Sequence, residues 1–213
     1  MALAIIAALL LQAVAPVAPP AADGAAAQAD AAVPAVAPAK IVHVLLKTSA
    51  GDITLGLDTT HAPITSANFL RYVTQHRFDG TSFYRAMRLD EGLGLIQGGT
   101  RNDPKRTLPP IAHEPTTQTG LTHDDGAISM ARYAPGTAAG DFFIIVRGMH
   151  ALDADPSQPG DNQGFAVFGH VTEGMDVVRK ILDAPTSPTA GEGAMKGQIL
   201  AQPVRIVSAT RLD

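Results

Sequence analysis

From residue 41 onward apolar side chains recur in short runs, mostly at every second position, and only twice with helical spacing. Ile41-Val42-His43-Val44-Leu45-Leu46-Lys47-Thr48 is rich in β-branched residues. Behind the turn residues Ser49-Ala50-Gly51-Asp52, the segment Ile53-Thr54-Leu55-Gly56-Leu57-Asp58 alternates with a period of two. Strand side chains point alternately to the two faces, so this pair predicts an antiparallel hairpin with one buried face. Pro63 then suits a first helical turn, where its missing N–H costs nothing. Ile64, Ala67, Phe69, Leu70, Tyr72 and Val73 supply a broad apolar helix face. Further short runs predict strands over Ser82–Met87, Leu93–Gln97, Ile128–Ala131, Phe142–Val146, Ala166–Thr172 and Val204–Thr210. A second helix is predicted over Met175–Leu182, where Met175, Val178, Ile181 and Leu182 share a face.

Many short strands, Gly- and Pro-rich connections and only two helices predict a mainly β fold, a barrel. Two connections, Gly98 to Ala127 and Arg147 to Gly164, are too long for simple turns and are expected to border the functional groove. Upstream, Ala2 to Leu11 is apolar and Ala13-Val14-Ala15 fits the small-residue pattern of a signal-peptidase site. Gln12 and Pro16 interrupt the run, which leaves it short for a membrane span, and no positive residue precedes it. Residues 1–18 are therefore expected to be a signal peptide or N-terminal anchor. Residues 19–40, almost wholly Ala, Pro and Val, are expected to be a disordered linker. Residues 41–213 form the expected domain. An exported protein of the bacterial periplasm follows, not stably inserted in the membrane after processing; the alternative is a tether through an uncleaved N-terminus.

Composition narrows the chemistry. The chain has 213 residues, 46% hydrophobic, enough for one core without disulfide or metal staples. A formal net charge of -4, with the cations scattered apart from Arg101, Lys105 and Arg106, argues against a nucleic-acid surface. The absence of cysteine excludes thiol catalysis, disulfides and Cys-ligated zinc. His43, His61, His76, His113, His123, His150 and His170 show no pair at metal-ligand spacing, so no metal and no cofactor are expected. His123 beside Asp124 could form a hydrolytic triad with a serine only on paper, since no nucleophile-elbow motif accompanies it. What remains is Arg85, a fixed cation at the end of Phe78-Asp79-Gly80-Thr81-Ser82-Phe83-Tyr84-Arg85, set among apolar strands without a nucleophile–base pair. Such a group can polarise a neutral bond in an apolar groove.

The order of motifs resembles the cyclophilin family of peptidyl-prolyl cis–trans isomerases, over residues 41–213. Pro63-Ile64-Thr65-Ser66-Ala67-Asn68-Phe69 is similar to the family's first helix. Asp79 to Arg85 resembles "DGTxFHR", with Tyr84 in place of His. Gln97-Gly98-Gly99 matches "QGG", Gly126 to Ala131 resembles "GxLSMA", and Phe142-Phe143-Ile144 matches "QFFI" without its Gln. The resemblance implies a closed eight-stranded antiparallel β-barrel capped by two α-helices, a monomer acting on Xaa-Pro bonds of proline-containing client polypeptides, and no cofactor. It assigns catalysis to Arg85, a substrate-backbone hydrogen bond to Gln97, the proline-pocket floor to Phe143, a backbone contact to Ala131 and a pocket position to Leu152. Arg132 stands at a position often Asn. Several positions depart from the family pattern. The Arg85–Gln97 connection is longer. Gly94-Leu95 replaces a Phe-Met pair, Asp141 replaces a glutamine, Phe165 a histidine and Ala151 a tryptophan. Leu95, Asp141 and Phe165 thus complete the expected groove, with Asp141 a possible ion-pair competitor for Arg85. A thinned groove also leaves open a catalytically weak peptide-binding or chaperone module on the same barrel.

Overall fold

The computed structural model describes residues 38–89 and 92–213; the expected leader (1–18) and nearly all of the expected linker (19–40) lie outside them. The elements run β1 (Ile41–Thr48), β2 (Gly51–Asp58), α1 (Pro63–Thr74), β3 (Ser82–Arg88) and β4 (Gly94–Gly99). They continue through α2 (Thr116–Thr119), β5 (Ala127–Met130), β6 (Asp141–Val146), β7 (Ala166–Glu173), α3 (Met175–Leu182) and β8 (Ile199–Arg211). The strands close a barrel in the order β1-β2-β7-β5-β6-β4-β3-β8, every recorded neighbour pair antiparallel. The expected strands are all present, and α1 and α3 are the expected helices. The single-turn α2 is additional. Its polar sequence carries no apolar period, and Gly120 at φ 70 ends it in the left-handed conformation.

Alternation fills the barrel as the sequence requires. Val44 and Leu46 from β1, with Ile53, Leu55 and Leu57 from β2, are buried in one core. Helix α1 closes one end. Its Phe69 and Tyr72 meet Phe78 at 4.8 and 5.0 Å between ring centroids, and Phe69 meets Phe142 edge-on at 5.2 Å. This helix has no side-chain cap of its own. Its orphan N–H groups are met by Glu114, a buried residue of the long β4–β5 connection. Glu114 accepts from Ile64 N–H at 3.1 Å, Thr65 N–H at 2.7 Å and the Thr65 hydroxyl at 2.6 Å.

Strand β8 begins five residues earlier than the expected Val204, at Ile199 (204 − 199). Pro203 hides this start in the sequence, because proline cannot donate to a ladder. In the fold Pro203 falls where the β3–β8 register slips, between the pairs Phe83↔Val204 and Arg85↔Ile199. The early segment of β8 therefore runs beside Arg85.

Candidate functional site

A strict period of two along β3 would send Arg85 to the same face as Phe83, into the core. A β-bulge prevents this. Phe83 pairs with Gly98 and Arg85 with Gln97, so Tyr84 is the extra residue. Phe83 and Ala86 remain in the core, and both Tyr84 and Arg85 line a cavity on the outer face of the barrel.

That cavity has a volume of about 620 Å³. It brings together every residue singled out from the sequence: Arg85, Leu95, Gln97, Ala131, Arg132, Asp141, Phe143, Leu152 and Phe165. Leu95 and Phe143 belong to a second apolar cluster outside the barrel, with Ala127, Ile145 and Val167 buried and Met87, Leu152 and Phe165 packed against it. Phe142, one residue from Phe143, is in the barrel core, as alternation demands. Phe165 meets Phe143 edge-on at 5.4 Å, and the Phe165 N–H donates to the Leu152 carbonyl at 3.0 Å. Arg132 turns its guanidinium over Phe165, at 5.1 Å from the centroid, and pairs with Asp161 at 2.7 Å. The Ala131 N–H donates to the Asp141 carbonyl at 2.9 Å, so the backbone contact expected of Ala131 falls to its carbonyl.

The guanidinium of Arg85 is held by neutral amides. Its Nη1 donates to Gln97 Oε1 at 2.8 Å; its Nε and Nη2 both donate to Gln198 Oε1, at 2.9 and 2.7 Å. Met87 Sδ lies 3.7 Å from Nη2. Burial lowers the arginine pKa, yet a guanidinium stays charged throughout the physiological range. Asp141 is not its partner, contrary to the ion pair weighed from the sequence. Asp141 instead accepts from the Arg101 N–H at 2.7 Å and the Tyr84 hydroxyl at 3.3 Å. Burial raises the Asp141 pKa, against the opposing pull of the Arg101 N–H and the Tyr84 hydroxyl.

The groove walls also differ from the sequence expectation. The sequence reads Gly94 in place of Phe as a thinned groove, but a Cβ there would meet the Met87 carbonyl at 2.2 Å, so the hairpin itself requires glycine. The longer Arg85–Gln97 connection is absorbed in the hairpin tip: Met87 still pairs with Leu95 and Arg88 with Gly94. Met87, Met195 and Ile199 line the cavity in addition, and Tyr133 lines it while 81% exposed. Gln198 and Met195 come from the segment between α3 and β8, which sequence reasoning did not connect to the site. Its run of Pro185, Pro188, Gly191, Gly193 and Gly197 was the available signal, being the same loop composition that marked the other two connections.

His123 does find a carboxylate and a serine. Its Nδ1 lies 2.6 Å from Asp153 Oδ1, not beside Asp124, and its Nε2 lies 3.1 Å from Ser129 Oγ. His123 and Ser129 are both fully buried, and His123 stacks on the Phe143 ring at 6.0 Å. No substrate can reach that serine, so the trio packs behind Phe143 and is not placed for hydrolysis. Among the described residues, no group of His, Cys, Asp and Glu could hold a metal ion.

Comparison with known proteins fits this geometry. The family model described as "Cyclophilin type peptidyl-prolyl cis-trans isomerase/CLD" matches residues 43–211. A peptidyl-prolyl cis-trans isomerase of Acinetobacter baylyi is 38% identical over 169 residues, 78% of this chain and 82% of that protein. One from Streptomyces antibioticus is 39% identical over 170 residues, 78% of this chain and 96% of that protein. Among solved structures, a Cryptosporidium parvum cyclophilin-type isomerase shares the fold with a TM-score of 0.65 at 20% identity, covering 82% of this chain and 99% of that one. The chain belongs to the cyclophilin-type peptidyl-prolyl cis–trans isomerase family and is an isomerase.

Proposed function

We propose that this protein accelerates rotation about Xaa-Pro bonds in client polypeptides, with Arg85 as the catalytic group, and that it does so outside the cytoplasm. One observation carries the assignment of Arg85: its anchors are two neutral amide oxygens, so its charge is positioned without being neutralised. Three of its five N–H groups are committed to those amides and a fourth points at Met87 Sδ, which leaves one N–H on Nη1 to face a substrate.

The chemistry needs no more than this. Amide resonance sets a rotation barrier of about 18–20 kcal/mol, and unaided isomerisation takes on the order of tens of seconds. No bond to an atom outside the peptide forms or breaks. The proline ring rests on Phe143, flanked by Leu152 and Phe165, which excludes water from the rotating bond. Arg85 donates toward the prolyl nitrogen or the proline's own carbonyl, favouring a pyramidal nitrogen over the conjugated one. One charge-assisted hydrogen bond contributes about 1.5–3 kcal/mol. Fixed orientation and tighter binding of the twisted state than of either planar isomer supply the remainder. The related Cryptosporidium parvum structure, solved in the presence of the dipeptide Ala-Pro, supports a proline-containing substrate.

The extracytoplasmic setting rests on the apolar Ala2–Leu11 run followed by Ala13-Val14-Ala15. Two measurements test the proposal. A protease-coupled assay on an Ala-Pro peptide should show turnover that Arg85→Ala abolishes; wild-type rates no faster than the spontaneous one would support the peptide-binding module instead. Mass spectrometry of the mature N-terminus should find it downstream of Ala15; an intact N-terminus on a cytoplasmic protein would refute export.

A further inference from the structure

Arg85 is one end of a directional chain whose other end is a carboxylate. Gln97 accepts from Arg85 at its Oε1, at 2.8 Å, and donates from its Nε2 to the Tyr84 hydroxyl, at 2.8 Å. The hydroxyl, in turn, lies 3.3 Å from Asp141 Oδ2. A guanidinium only donates and a carboxylate only accepts, while an amide and a hydroxyl can do either. The two ends therefore fix the middle. The single proton of Tyr84 goes to Asp141, so its oxygen can only accept from Gln97. The Gln97 amide must then present nitrogen to Tyr84 and oxygen to Arg85. Both ends dictate the same amide orientation, and bonds aligned in one sense reinforce one another. Asp141 is itself fixed by the Arg101 N–H, and the Arg101 guanidinium covers the Tyr84 ring at 4.8 Å from its centroid. Tyr84 and Gln97 are both buried, so water does not readily replace either partner.

We propose that Tyr84 and Asp141 are positioning residues for isomerisation: through Gln97 they aim Arg85 at the rotating bond without neutralising it. The proposal rests on Arg85 being the catalytic group. It explains why a carboxylate lines a groove whose catalyst is a cation, and why the two do not pair.

The test is steady-state kinetics on an Ala-Pro peptide, for Tyr84→Phe, Asp141→Asn, Gln97→Leu, the Tyr84→Phe/Gln97→Leu double variant and Arg85→Ala. Tyr84→Phe keeps the ring and loses only the proton link. It should lower kcat by about three- to tenfold, the range expected for one lost hydrogen bond, with KM within about twofold. Asp141→Asn should lower kcat in the same direction. The double variant should be no slower than Gln97→Leu alone, because the hydroxyl acts only through that amide. Additive losses in the double variant, or a Tyr84→Phe enzyme with wild-type kcat, would overturn the chain while leaving Arg85 in place. Full activity in Arg85→Ala would instead overturn the catalytic assignment. Thermal melts on each variant complete the test: a kcat loss in Tyr84→Phe that merely tracks a lost folded fraction also overturns the proposal.

Discussion

Removing Glu114 should unfasten helix α1, although the residue lies 49 positions from Thr65 and is not among those lining the groove. Its carboxylate serves two backbone N–H groups and one hydroxyl, and the pair Thr65 and Glu114 is almost wholly shielded from water. Glu114→Ala leaves three donors without acceptors and removes a negative charge from a helix N-terminus. An unsatisfied buried donor costs about 1–3 kcal/mol, and the charge at the helix end adds about 0.3–1 kcal/mol. Partial water entry into the vacated space reduces the sum, which gives an expected loss of about 3–5 kcal/mol. For a chain of this size the melting temperature should fall by roughly 10 °C. Glu114→Gln keeps one acceptor and turns the other into a donor facing donors, so it should recover only part of the loss. Urea unfolding followed by far-UV circular dichroism measures both variants, with Thr65→Val removing one partner as a check. A Glu114→Ala loss below about 1 kcal/mol would refute the view that this distant carboxylate is the helix cap.

Two other perturbations are informative. Gln198→Leu removes the oxygen that receives two Arg85 donors and should lower kcat/KM about tenfold, equivalent to roughly 1.4 kcal/mol; unchanged kcat/KM would show that Gln97 alone suffices to hold Arg85. Burial holds the His123 imidazole below its ordinary value, against the pull of Asp153, so the unfolded chain takes up this proton first as pH falls. The stability His123 contributes is thus present above pH 6.5, the ordinary value for an imidazole, and declines below it by up to about 1.4 kcal/mol per pH unit. Urea midpoints measured at pH 7.5 and 5.5 (roughly one unit either side of an unperturbed histidine) should show a smaller difference in His123→Asn than in the wild type; an equal difference would contradict a buried neutral imidazole.

How much of this was legible in the sequence depends on how local the information is. Strand alternation is local, and it put Phe142 and Phe143 on opposite faces, while the motif resemblance chose Phe143 for the groove; the structure has Phe142 in the core and Phe143 in the outer cluster. The direction of Arg85 was not legible from alternation. Counting from Phe83 points it inward, and the bulge at Tyr84 that turns it outward depends on pairing with β4 and β8. Motif resemblance named Arg85 without explaining its orientation. Gln198 escaped because Pro203 masked the early part of β8, so its neighbour Ile199 was not read as strand. Glu114 and Asp153 escaped for another reason: each serves a group that only the closed fold brings near, whereas sequence proximity favoured Asp124 as the partner of His123.

The closed barrel has a consequence for how such a protein can meet an unfolded client. Extended chains are commonly captured by adding a strand to an exposed sheet edge, which yields many backbone hydrogen bonds and slow release. Here β8 pairs with β1 and the circle is complete, so the sheet offers no edge to extend. A client segment can engage side chains in the outer groove but cannot join the sheet. On the proposed function, contact would be confined to a few residues around one proline, which suits repeated brief visits along a chain and works against long-lived holding.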